Sequence, residues 1–238
     1  MRWVSKEEDS AKDRIGAFVL MLVYVMEKLN NTEVMHDTRR KRPDHQGLFE
    51  VASEQAGYFT ASQAGACGYS SSLRAYHAKR GRWVRVRRGI YRLSEYPSSE
   101  HEEVIAAWLW AGKDDAVVSH ESALDVFDLS NVIPDTVHIT IPRSRRYRPP
   151  TAGITLHTTT RAFKPGEVIS RGGVRVSSAE RTILDCAETG TAPEQIVASA
   201  IQAVDRGLAT SRQLQTGAKS RGGRVERLIR RAFDEAAS

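Results

Sequence analysis

Apolar positions recur at helical spacing from Asp44 to Gln55, where Leu48, Val51, Ala52 and Gln55 share a face with Phe49 and Ala56 beside it. This predicts a helix that Gly57 ends, with Tyr58-Phe59 packed into the turn. Thr60 is a good N-cap for a short helix from Ala61 to Ala66, stopped by Gly68. Ser70 to Ser72 offer the next cap, and a second helix runs to Arg80. Gly81 ends it in a left-handed position. WVRVR and IYRL are β-rich runs around Arg87-Arg88-Gly89, a hairpin pattern, and the segment closes near Pro97.

Beyond it, Ser99-Glu100-His101-Glu102 reads as a capping box opening a helix through Trp110, ended by Gly112. Ser119 is placed to cap a helix from His120 to Phe127. Thr136 to Ile141 alternates with period two and predicts a strand, Ile154 to Thr158 another, and Val168-Ile169 with Val174 to Val176 a hairpin about Gly172-Gly173. The remainder is helical: Ala179 to Glu188, a helix begun by Pro193, a short one from Thr210 to Gln215, and a last one after Gly222-Gly223. In that last helix Val225, Leu228, Ile229 and Ala232 face inward.

The expected fold is α+β: an N-terminal winged helix-turn-helix, then a mixed α/β domain with a small sheet and C-terminal helices. The expected division is an extension at 1–43, helical or disordered, a DNA-binding domain at 44–97 and a second domain at 98–238.

Charge sharpens this picture. In the second helix, Leu73, Tyr76, His77 and Arg80 point one way by angle. Ser71, Ser72, Arg74, Ala75, Ala78 and Lys79 point the other, small, polar or cationic as a major groove requires. The hairpin adds Arg82, Arg85, Arg87, Arg88 and Arg92, forked donors for phosphate or guanine. A solvated face usually mixes signs, yet no acidic residue occurs between Gly68 and Leu93. The candidate DNA contacts are therefore Ser71, Ser72, Arg74, Lys79, Arg80, Arg82, Arg85, Arg87, Arg88 and Arg92. A second basic loop, Arg143, Arg145, Arg146 and Arg148, is a further candidate contact with DNA or a partner. The net charge of +6 over 238 residues agrees with a polyanionic partner.

Little else carries chemistry. The two cysteines make neither a disulfide framework nor a zinc site, and a cytoplasmic location is expected. Seven histidines are scattered, with no pair at metal-ligand spacing on one helix, so no metal, cofactor or catalytic residue is expected. Ser119-His120 are neighbours on a helix and do not face each other, so Ser119 reads as a cap and not a nucleophile. Arg181 and Asp185, four apart, read as a structural ion pair. Ile15 to Met26 is apolar but shorter than the roughly 20 residues of a spanning helix. It reads as an extra helix, or as part of a frame extended upstream of a natural start at Met35.

Several stretches resemble the AbiEi-like antitoxins, transcriptional regulators of type IV toxin–antitoxin systems. These are Gly57-Tyr58-Phe59-Thr60 with Gln63-Ala64, Tyr76-His77 with Gly81-Arg82-Trp83, and Arg85 through Leu93. Further on come Ser119 through Leu124, Pro134-Asp135 with His138 through Pro142, and Glu180 through Asp185. The resemblance runs from about Asp44 to Leu214. It implies a winged helix that represses its own operon, a C-terminal domain associated with antitoxin activity, and a nucleotidyltransferase-like toxin paired without a tight complex. The expected function is thus a DNA-binding repressor and antitoxin, not an enzyme. The alternatives are an orphan regulator and a nucleic-acid-processing enzyme or its remnant, since some relatives carry a restriction-endonuclease-like domain that is not expected here.

Overall fold

Asp44 caps the first helix with its own carboxylate, accepting from the Gly47 N–H at 2.9 Å. The helix, α1 (His45–Ser53), buries Leu48 and Ala52 and leaves Phe49 half exposed. The computed structural model describes residues 42–147 and 151–236. Expectations for the segment before Arg42, including the apolar run, the start at Met35 and the membrane reading, lie outside the described residues, as does Arg148. Among the described residues no helix is long and apolar enough to cross a membrane.

Asp44–Ser238 forms one compact unit. After α1 come β1 (Tyr58–Thr60), α2 (Ala61–Ala66), α3 (Ser71–Lys79), β2 (Trp83–Arg87) and β3 (Ile90–Leu93). Thr60 and Gln63 form a reciprocal capping box on α2, and Ser70 caps α3. The strands make an antiparallel sheet in the order β1-β3-β2. The Tyr58-Phe59 pair expected in a turn is therefore a strand, because β3 offers it a second edge. Leu48, Ala52, Phe59, Ala64, Tyr69, Trp83 and Leu93 form a small core of their own.

The rest is built on a five-stranded sheet. Its strands are β4 (Val117–Val118), β5 (Val137–Pro142), β6 (Ile154–Thr159), β7 (Val168–Arg171) and β8 (Val174–Ser177), in the order β6-β5-β4-β8-β7. Strand β5 runs parallel to β6 and antiparallel to β4, and β4 runs parallel to β8. Helices α4 (Glu102–Ala111), α5 (His120–Val126), α6 (Ala179–Thr189), α7 (Pro193–Asp205), α8 (Ser211–Lys219) and α9 (Gly223–Ala236) complete the chain. The alternating Val137, Ile139 and Ile141 face a core shared with Ile105, Leu124, Ile183 and Ile196. Val225, Leu228, Ile229 and Ala232 of α9 are buried as the periodicity requires.

Two expected caps are not made. Ser99 accepts from the His101 N–H, and helix α4 starts without a side-chain cap. Its partner Glu102 is turned to Tyr58, whose hydroxyl donates to Glu102 Oε2 at 2.8 Å. Ser119 likewise gives no cap to α5; its Oγ is bonded to Thr140 Oγ1 and His120 Nδ1. In both places a contact from distant sequence takes the local hydrogen-bonding group.

Tyr58 and Ile90 belong to the larger core, so the two parts of the unit share buried side chains. The hairpin β7–β8 reaches back to the same junction. A Cβ on Gly173, which sits at φ +79°, would stand 3.1 Å from Ala56. A Cβ on Gly57 would overlap the Tyr96 ring at 2.3 Å, so only glycine fits under that ring.

These contacts give stability expectations. Ile139→Ala empties a fully buried site and should cost roughly 2–5 kcal/mol. Tyr58→Phe removes the hydroxyl that donates to Glu102 and accepts from the Ser99 N–H, and should cost about 1–3 kcal/mol. Urea unfolding of the two variants measures both; a Tyr58→Phe midpoint equal to wild type would mean that this junction adds nothing.

Candidate nucleic-acid interface

Helix α3 is held by one aromatic cluster. His77 stacks on Trp83 of β2, with centroids 4.8 Å apart and planes at 19°. Phe59 and Tyr69 meet the same indole at 4.8 and 4.9 Å. The helix and the hairpin are thus fixed to each other through a single side chain, which sets the angle between the two surfaces. Burial lowers the pKa of His77, and Arg82 and His45 add repulsion. Its Nδ1 is buried with no hydrogen-bond partner among the described residues.

The outward face of α3 carries Ser71, Ser72, Ala75, Tyr76, Lys79 and, at its C-cap, Arg80. Helical spacing places Tyr76 on the inward face, yet it is 46% exposed, and Arg80 lies over its ring at 5.4 Å. His77, Phe59 and Tyr69 already surround Trp83, and Tyr76 meets only the edge of His77. Spacing places Arg74 on the open face, yet it is half-buried. Its guanidinium donates to the Tyr69 carbonyl at 2.7 Å, tying α3 to the preceding turn.

The hairpin arginines divide in the same way. Arg82, Arg85 and Arg88 are exposed and pair with no carboxylate among the described residues. Arg87 and Arg92 are half-buried. Arg87 Nη2 stands 3.6 Å from Glu103 Oε2, and Arg92 Nε stands 3.4 Å from Glu102 Oε2. Arg92 also donates to the Tyr96 carbonyl. The cause lies in β2. Its pairing with β3 shifts register between Arg85 and Arg87, a bulge at Val86 that lets Val86 pack on the large core. Strict alternation would have put Arg85 and Arg87 on one face.

The second basic loop follows β5 as a 3-10 turn, Arg143–Arg145. Arg145 pairs with Asp115 at 2.9 Å, and Arg146 stacks over Tyr147 at 4.2 Å. Arg143 is exposed.

The cysteines are free, and Cys186 is buried. The Arg181–Asp185 pair expected on a helix surface lies at the centre of a larger, mostly sheltered network. Arg181 Nε meets Asp185 at 2.8 Å and Nη1 meets Glu167 at 3.4 Å, while Arg221 reaches Asp185 and Glu188.

One grouping is not visible in the sequence. His120, His138 and His157, spread over 38 positions, present ring nitrogens that all lie within 4.8 Å of one another. Burial, with repulsion among the three, pushes His120 down to about 3 and His157 to about 4, so all hold neutral rings at neutral pH. Spacing could not reveal this set, because its members sit on a helix and two adjacent strands. The one local hint is the repeated histidine in the alternating runs of β5 and β6.

Residues 46–94, which hold α1 through β3, match the AbiEi antitoxin family of transcriptional regulators. The likeness is confined to that stretch. No curated protein matches the chain. The fold resembles the crystal structure of the RV2827C protein from Mycobacterium tuberculosis, with a TM-score of 0.51 over 79% of this chain and 74% of that one. At 13% identity that likeness is one of fold alone. The matched stretch coincides with the elements that carry the exposed cations.

The depressed pKa of His77 has a signed consequence. The unfolded chain takes up a proton at the ordinary histidine value near 6.5, before the folded one does. Its contribution to stability is therefore complete above that value and is lost as pH falls below it. His77→Phe, which keeps the stack on Trp83 without the titration, should lose less stability than wild type between about pH 7.5 and about pH 5. Denaturant midpoints at the two pH values test this, and equal losses would remove His77 as a contributor.

Proposed function

We propose that this protein is a DNA-binding transcriptional repressor that acts as the antitoxin of a type IV, AbiE-like toxin–antitoxin system and autoregulates its operon. The observation that carries the reading is the open cationic face of the matched stretch: Lys79, Arg80, Arg82, Arg85 and Arg88, exposed on α3 and the adjoining hairpin. The order α1-β1-α2-α3-β2-β3 is read as a winged helix-turn-helix, with α3 entering the major groove and the hairpin as the wing. Ser71, Ser72 and Tyr76 then face base edges, and Arg85 and Arg88 face phosphates. Arg74, Arg87 and Arg92 position these surfaces from within. The remainder of the unit is read as the antitoxin part, functionally paired with a nucleotidyltransferase-like toxin in the cytoplasm.

The internal and external arginines should fail differently. Removing a cation that meets a phosphate lowers affinity for all sequences and flattens the salt dependence by about one unit of slope. Arg85→Ala with Arg88→Ala should therefore weaken binding to the upstream region of its own gene and to scrambled DNA alike, with a reduced slope. Arg87→Ala should keep the wild-type slope, because its charge faces Glu103. Ser72→Ala should change which operator variants bind, by roughly 1–3 kcal/mol at a base pair. Titrations at several salt concentrations decide the matter, and wild-type slopes near zero on both DNAs would sink the DNA-binding reading.

A further inference from the structure

We propose that His120, His138 and His157 form a binding site for one divalent transition-metal ion of the zinc class. The three imidazoles come from three elements: the start of α5, the second position of β5 and the middle of β6. Parallel pairing sets Thr140 opposite His157, so His138 and His157 share a sheet face on neighbouring strands. The opposite face, with Ile139 and Ile141, is the apolar core. His138 Nδ1 and His157 Nε2 stand 3.0 Å apart. Two nitrogens bound to one tetrahedral ion at about 2.0–2.1 Å are separated by roughly 3.3 Å. His120 lies over His157 with ring centroids 3.6 Å apart, and the ligand nitrogens all fall within 4.8 Å.

The surroundings favour an ion. His120 is a non-glycine residue at φ +52°, a conformation L-residues adopt at a cost, and it brings this ring over the strands. Its Nδ1 is bonded to Ser119 Oγ at 2.9 Å, and that hydroxyl is bonded to Thr140 at 2.8 Å, which leaves Nε2 as the ligand atom. Such outer partners fix the tautomer of a metal-bound histidine. Between His138 and His157 one proton is shared; on binding it moves to the far nitrogen of the same ring, so both imidazoles stay neutral. The nearby arginines Arg181 and Arg221 are matched by Asp185, Glu167 and Glu188, and Glu121 lies toward His138. Three neutral nitrogen ligands suit Zn²⁺, Co²⁺, Ni²⁺ or Cu²⁺ over Mg²⁺ or Ca²⁺, and three protein ligands leave a fourth position for water.

The experiment uses the full chain, stripped with a chelator, confirmed as folded by circular dichroism, and titrated with Co²⁺ and then Zn²⁺. One equivalent of Co²⁺ should give a visible band that one equivalent of Zn²⁺ abolishes. His138→Gln with His157→Gln should lose the band. Ser119→Ala should bind about 10–100-fold more weakly, as loss of an outer-shell partner does. A folded wild type with no band and no protection by Zn²⁺ against thermal unfolding would overturn the proposal. So would an unchanged band in the double variant. Should that variant fail to fold, X-ray absorption of the Zn²⁺-loaded wild type counts the imidazoles: three support the site, and one or none overturns it.

Discussion

The contact between Tyr58 and Glu102 joins the stretch at residues 46–94 to the rest of the unit. Tyr58 is the first residue of β1 and belongs to the larger core, while its hydroxyl reaches the first turn of α4. Burial raises its pKa, which keeps the hydroxyl a donor. Glu102 is pulled away from a capping role and also faces Arg92. One carboxylate thus receives a donor from β1 and a cation from β3. Both strands are thereby tied to the first turn of α4, beside the buried Tyr58 and Ile90.

The same junction sorts the arginines. A guanidinium beside a carboxylate or under a carbonyl holds structure; one in water is available to a partner. Arg74, Arg87 and Arg92 are of the first kind, and Arg82, Arg85 and Arg88 of the second. The bulge at Val86 produces much of this division. It turns one valine into the core and carries the following arginine toward α4. A basic hairpin therefore contains both an outward electrostatic surface and inward fasteners, and counting charge along the chain does not separate them.

The second part of the unit brings polar chemistry into a sheltered place. The histidines sit on the polar face of the β5–β6 pair, beside the Arg181–Asp185–Arg221 network. Ser119, whose position suggests a helix cap, serves this cluster through His120 and Thr140. Its hydroxyl can satisfy either the helix end or these partners, and β5 brings Thr140 beside it.

Periodicity and turn residues determined most of the local structure. The helices at Ala61–Ala66 and Pro193–Asp205, the hairpins at Gly89 and Gly172-Gly173, and the inward stripe of α9 follow from spacing and from residues that only one backbone geometry suits. The motifs around Gly57 and Trp83 also pointed to the AbiEi kind, and the family match falls on that stretch. Tertiary structure decided the rest. The two-residue strand β4 is too short to show a period, and β1 is a strand only because β3 lies beside it. Tyr76 faces water because His77, Phe59 and Tyr69 already surround Trp83. Glu102 and Ser119 leave their expected caps because stronger partners approach from 44 and 21 positions away. Local sequence fixes what a backbone segment can do; which of its polar groups are free is set by neighbours that only folding brings near. The three histidines came together for that reason.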